Sequence, residues 1–170
     1  MNNRWSVRTA DGAAFAAVAA WPTTLANIVL YNGEAVGGKS YIIDAVWAAS
    51  KTDVGAASSL VCLAQVSNAG VAAPADSATT LITGSAGKIY GGSARKAVAN
   101  TAFAITNKWT VVGASSGWVT GTVGAGMYCP VDGRFIIPPG ACLCVNHVAS
   151  TAGGTNVQGI DWHETQLDLA

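Results

Sequence analysis

Residues 131–164 run apolar, turn, apolar, turn, apolar. Asp132-Gly133 opens onto Arg134-Phe135-Ile136-Ile137, and Pro138-Pro139-Gly140 interrupts. Residues 141–149 are a second apolar run, residues 151–155 a small-residue loop, and residues 156–164 a third run. Proline has no N–H to donate to a ladder, so Pro-Pro-Gly predicts a break between strands or an edge position. Runs of this kind divided by turn chemistry predict antiparallel β-structure. The same grammar recurs upstream. Residues 39–49 alternate, with Tyr41, Ile43, Ala45 and Trp47 on one side and Ile42, Asp44, Val46 and Ala48 on the other. Further strands are predicted at 23–32, 59–67, 79–83, 101–112 and 118–123. Loops are predicted at 50–57, 68–77 and 84–96, and a turn at 124–126.

This pattern gives about eight strands and no helix beyond a turn or two, at residues 13–21 before Pro22. Glutamate occurs twice and glutamine three times, so strong helix formers other than alanine are scarce. Closely spaced strands with Gly/Pro turns predict an all-β sandwich or barrel, and an antiparallel two-sheet jelly-roll-like sandwich fits the strand count best. Two regions are expected: an irregular N-terminal arm, residues 1–22, and the β-sandwich, residues 23–170. The arm holds few large apolar groups. It is expected to order only by docking Trp5, Phe15 or Trp21 on a partner, and to be dispensable for folding of the sandwich.

Composition sharpens the picture. Charged residues are 11% of the 170-residue chain and the formal net charge is zero, against ~25% charged in ordinary soluble domains. The deficit predicts surface buried between subunits; the alternative is a compact alanine-rich monomer. No run approaches the ~18 apolar residues of a membrane span. Arg4, Arg8 and the Ala17-Val18-Ala19 triplet have the flavour of a signal peptide, but the apolar run is short and follows Asp11, so folding in a cytoplasm is expected. Cys62, Cys129, Cys142 and Cys144 show neither CxxC nor zinc spacing and are expected as buried free thiols.

Several motifs match a chemistry by spelling. Gly33-Glu34-Ala35-Val36-Gly37-Gly38-Lys39-Ser40 satisfies G-x-x-x-x-G-K-[ST], which cradles phosphates when a helix follows directly. Here the next residues, 41–47, are strand formers, and no acidic strand end is evident to hold magnesium. Gly113-Ala114-Ser115-Ser116-Gly117 spells a nucleophile elbow, but its strand-to-helix turn is not predicted. His147 and His163, with Asp161 and Glu164, are candidate metal ligands, although Asp161 and His163 share one strand face and Glu164 takes the other. Lys88, Arg95 and Lys96 form a thin basic patch in a predicted solvated loop. The six tryptophans offer sugar-stacking surfaces, but core and subunit contacts account for them more simply.

Four stretches carry a resemblance. They are Asn32-Gly33-Glu34-Ala35, Gly37-Gly38-Lys39-Ser40-Tyr41-Ile42-Ile43-Asp44, Gly133-Arg134-Phe135-Ile136-Ile137-Pro138-Pro139 and Gly159-Ile160-Asp161-Trp162-His163-Glu164. In order and flavour they resemble small β-rich virion proteins of tailed bacteriophages, over residues 23–166. The resemblance implies a jelly roll that decorates the capsid or sits in the tail, with no active site, cofactor or metal. It implies two partners, other copies of the chain, a trimer favoured, and a major capsid protein. It implies a place on the capsid surface, and neither nucleic acid nor membrane is an expected partner. A tail or fibre component that binds a receptor or glycan is the second expectation, and a nucleotide-binding protein built on residues 33–40 the third.

Overall fold

The computed structural model describes residues 4–9, 15–16, 20–23, 25–52, 58–67, 80–84, 95–102, 109–118, 126–149 and 155–166. The described residues form strands and turns without a helix. The strands are β1 (Arg4–Thr9), β2 (Phe15–Ala16), β3 (Leu25–Asn32), β4 (Ser40–Ser50), β5 (Ser58–Ser67), β6 (Thr80–Gly84), β7 (Arg95–Ala102), β8 (Thr110–Trp118), β9 (Gly126–Pro130), β10 (Ile136–Ile137), β11 (Cys142–Ala149) and β12 (Thr155–Thr165).

Every pairing is antiparallel, and the pairings nest. β1 pairs β12, β3 pairs β11, β4 pairs β9 and β10, and β5 pairs β8. The larger sheet therefore contains the order β1-β12-β4-β9/β10, and the smaller sheet β3-β11-β5-β8. This winding, first strand beside last, is the two-sheet jelly roll expected from the sequence. β6 and β7 add to it. β6 extends the larger sheet beyond β1, and β7 extends the smaller sheet beyond β3.

The sheets enclose one main core. Ile28 and Leu30 of β3, Leu143 and Val145 of β11, Tyr41, Ile43 and Val46 of β4, and Ile160 and Trp162 of β12 are fully buried in it. The Tyr41 and Trp162 rings stack with centroids 5.9 Å apart. A smaller cluster of Ala26, Val29, Cys142 and Cys144 is closed over by Tyr31, Val98 and Trp109. The Trp109 indole N–H donates to the Pro22 carbonyl at 2.8 Å, fastening the approach to β3.

Alternation on β4 breaks at one point. Its register against β12 shifts where Ala45 faces Asp161 and Ile43 faces Trp162, so Asp44 has no opposite number. A strand side chain changes face when the count slips by one. Val46 and Ala48 consequently turn into the core, and Trp47 turns outward. The strict alternation predicted for residues 39–49 holds only as far as this bulge. On its other flank, the turn between β9 and β10 wraps the same place. The Val131 and Asp132 N–H groups both donate to the Asp44 carbonyl, at 2.8 and 3.1 Å. Asp132 and Gly133 are both left-handed (φ 46° and 78°), as Asp-Gly predicts for a tight turn.

The N-terminal segment differs from the expected irregular arm. Arg4–Thr9 is hydrogen-bonded on both edges, to β12 and to β6, and Phe15–Ala16 pairs β12 as a strand rather than as a helical turn. Val7 and Thr9 are fully buried, and alternation with Arg4, Ser6 and Arg8 explains why six residues suffice. These pairings argue against a sandwich that folds without residues 1–21, because removing them exposes one edge each of β12 and β6. Three other boundaries also differ. Arg95 and Lys96, expected in a loop, open β7; residues 113–117 lie inside β8; and Gly126, expected in a turn, begins β9.

Candidate functional site

Residues 33–40 link β3 to β4, and β4 begins at Ser40, so the helix N-terminus required by a phosphate-cradling loop is replaced by a strand. The linker is organised from within. The buried Asn32 side-chain amide donates to the carbonyls of Lys39 and Ile137 at 2.8 and 2.9 Å, and its oxygen accepts the Glu34 N–H at 3.0 Å. Gly37 takes φ 84°, and the Gly38 N–H closes a turn onto the Ala35 carbonyl at 2.8 Å. The Lys39 ammonium lies 3.8 Å from the Glu164 carboxylate.

Glu164 is the hub of an inter-sheet cluster. Arg95 Nε and Nη2 donate to its two carboxylate oxygens in a buried bidentate pair. The Arg95 guanidinium also lies over the Trp5 ring, 3.8 Å from its centroid. Arg95, expected in a solvated basic patch, thus joins β7 to β12 across the sandwich. Lys96 is half-buried on β7, and Lys88 lies outside the described residues.

Gly113 stands in the middle of β8 with no elbow. A side chain there would overlap the Cys129 sulfur, which reaches over from the opposite sheet beside Cys62. The two thiols hydrogen-bond, and this bond together with burial raises the Cys62 pKa well above its ordinary value. The Cys142 and Cys144 sulfurs are 3.9 Å apart, and all four cysteines are free and buried, as expected.

The two histidines are separated by a sheet. His147 is fully buried inside the sandwich, where burial lowers its pKa to about 4 while Gln158 of the facing sheet acts the other way. Among the described residues neither ring nitrogen makes a hydrogen bond of normal geometry, although the Gln158 side chain faces the ring closely enough to favour its protonation. Gln158 donates from its amide to Asn156 at 2.6 Å, and its backbone N–H donates to Thr9 at 3.2 Å. His163 lies on the outer face, with Nδ1 2.8 Å from Asp44 Oδ1. Among the described residues, no group of three histidine, cysteine, aspartate or glutamate side chains is placed to hold a metal.

The three aromatic residues singled out for docking are not brought together by the described structure. Trp5, half-buried, packs on the sandwich's own core. Trp21 is exposed at 54% beside Pro22. Phe15 lies opposite Asn156, while Trp5 lies opposite Trp162, six residues along β12 or about 20 Å. The Phe15 side chain lies outside the described residues.

One surface constellation was not anticipated. On the outer face of the larger sheet, Trp47 sits directly across from Tyr128 of β9, which is 64% exposed. The Trp47 indole lies flat on Gly159, where any Cβ would overlap the ring, and its N–H donates to Asp161 at 3.3 Å. The Asp44–His163 pair flanks it. Partial desolvation, then the carboxylates of Asp161, Asp44 and Asp132, raise the Tyr128 phenol above its ordinary 10.0, with Arg4 opposing. Alternation along residues 39–49 gives no signal for it, because it is the bulge at Asp44 that turns Trp47 outward.

Comparison of the chain with protein-family models, curated proteins and solved structures returns no match. No helix of the described residues is long and apolar enough to cross a membrane.

Proposed function

We propose that this chain is a non-enzymatic virion structural protein of a tailed bacteriophage, a capsid decoration protein that stabilises the shell by binding across neighbouring subunits. The observation that carries the reading is the nested jelly-roll winding, an architecture used by capsid and lectin domains, in a chain with only 11% charged residues. The buried Arg95–Glu164 pair and the Lys39 contact give residues 33–40 and Glu164 a structural role, which supports reading the phosphate-loop spelling as coincidental. A protein that binds only the assembled shell raises its stability by linkage. Its partners are then a major capsid protein and other copies of itself, a trimer being favoured, and its place is the capsid surface.

The test compares thermal DNA release from particles with and without the protein and locates it by labelling. Earlier release from particles lacking it, with label on the shell, is the expected result. Label confined to the tail, or unchanged release, overturns the reading. Light scattering of the free protein checks the trimer, and a monomer both free and on the particle removes it.

A further inference from the structure

We propose that the outer face of the larger sheet around Trp47 and Tyr128 is a binding site for a neutral saccharide, wherever on a particle the protein sits. The fold places two aromatic side chains there that its own core does not use. The bulge at Asp44 turns Trp47 out of the sandwich. Gly159 supplies a bare shelf for the indole, and Asp161 fixes the ring through its N–H. Tyr128 stands directly opposite, with Cβ atoms about 5 Å apart as in any cross-strand pair. A rigid aromatic surface loses little conformational entropy when a ligand stacks on it.

The rim of this platform selects the ligand class. Asp44 and His163 keep 27% and 38% of their side-chain surface exposed while paired with each other. Asp161 lies on the same outer face and holds the indole through one oxygen. Carboxylates beside an aromatic plane match a pyranose. Its C–H face meets the negative face of the ring, and its hydroxyls donate charge-assisted hydrogen bonds to the carboxylates. Polyanions fit poorly, because the three carboxylates of Asp44, Asp132 and Asp161 bear on Tyr128 against the guanidinium of Arg4. A second protein surface also fits poorly. Tyr128 and Ile136 are the large hydrophobic side chains exposed on the described β9–β10 edge, whereas a stable protein interface buries about 800 Å² per partner around an apolar centre.

The full chain is titrated with neutral malto-, cello-, chito- and galacto-oligosaccharides, following tryptophan fluorescence and the Trp47 indole N–H signal by NMR. Saturable binding by at least one series is expected. Tyr128→Ala, at an exposed position, should weaken it about tenfold or more with an unchanged unfolding midpoint, and Tyr128→Phe should retain it. Asp161→Asn, which still offers an oxygen to the indole, should weaken it as well. No binding by any series overturns the proposal, as does binding indifferent to Tyr128→Ala. A lysine-rich peptide that binds this face where saccharides do not would reassign it to a basic protein partner. These outcomes are independent of whether the protein stabilises capsids.

Discussion

Gly159 and His147 show how single positions carry consequences that a residue list hides. Gly159 is a strand residue that costs β-propensity, and its reason is the Trp47 ring lying on it. Gly159→Ala forces the indole off its shelf, with an expected loss of ~1–3 kcal/mol by urea denaturation and a changed tryptophan emission. Among the described residues, His147 is buried without a hydrogen bond of normal geometry to either nitrogen. Its folded pKa is depressed to about 4, against 6.5 ordinarily, so between these values the unfolded chain binds the proton and the folded chain does not. The stability it permits is therefore complete above pH 6.5, falls as pH drops and levels off below about 4. At ~1.36 kcal/mol per pH unit the whole effect is roughly 3 kcal/mol. Urea unfolding across this window, compared with His147→Gln, isolates it; parallel curves for the two proteins would contradict it. The sequence showed that Asp161 and His163 share a face and Glu164 opposes them, since β12 alternates without a break. It did not show that the two histidines lie on opposite sides of a sheet, because that depends on which face of β11 meets β12.

At the scale of elements, what was legible depended on the length and regularity of alternation. β3, β4, β5, β11 and β12 are long and rich in β-branched or aromatic residues and were legible as strands, although the bulge at Asp44 reverses the expected faces of β4 beyond it. β1, β7 and the β8–β9 region were missed or displaced because small and polar residues dominate them. β8 carries Gly-Ala-Ser-Ser-Gly in mid-strand, and Gly113 there makes room for Cys129 from the opposite sheet. The ion pair between β7 and β12 was also invisible, since nothing local brings Arg95 near Glu164. Breaking one member of a buried pair leaves an uncompensated charge at a cost of ~3–5 kcal/mol. Arg95→Met should be destabilised by about that much, and Arg95→Met combined with Glu164→Leu should recover most of it. Lys39, with 45% of its side chain exposed, should matter by less than ~1 kcal/mol when replaced by alanine. A double-mutant cycle by chemical denaturation checks all three values.

At the scale of the whole molecule, the nested winding makes the first strand and the last interdependent. β1 lies between β12 and β6, with Arg4 to Arg8 opposite His163 to Gly159, Trp5 to Thr9 opposite Gly84 to Thr80, and Val7 in the main core. The folding nucleus cannot close the larger sheet until residues more than 150 positions apart meet, a separation that slows folding into the millisecond-to-second range of β-sandwiches. Removing β1 strips the ladder from one edge of β12 and one edge of β6, deletes the ring beneath Arg95 and opens the core at Val7. It also leaves an unpaired apolar edge of the kind that aggregates. A chain lacking residues 1–9 should therefore lose its cooperative unfolding transition by circular dichroism and near-ultraviolet spectroscopy. A synthetic peptide of residues 1–10 should restore the transition by pairing in the vacated register, as one strand added to a sheet edge does. A truncated chain that melts like the full protein would show the segment to be the dispensable arm its composition suggests. Restoration by the peptide, absent with Val7→Asp in the same peptide, would place the effect on the β1 register.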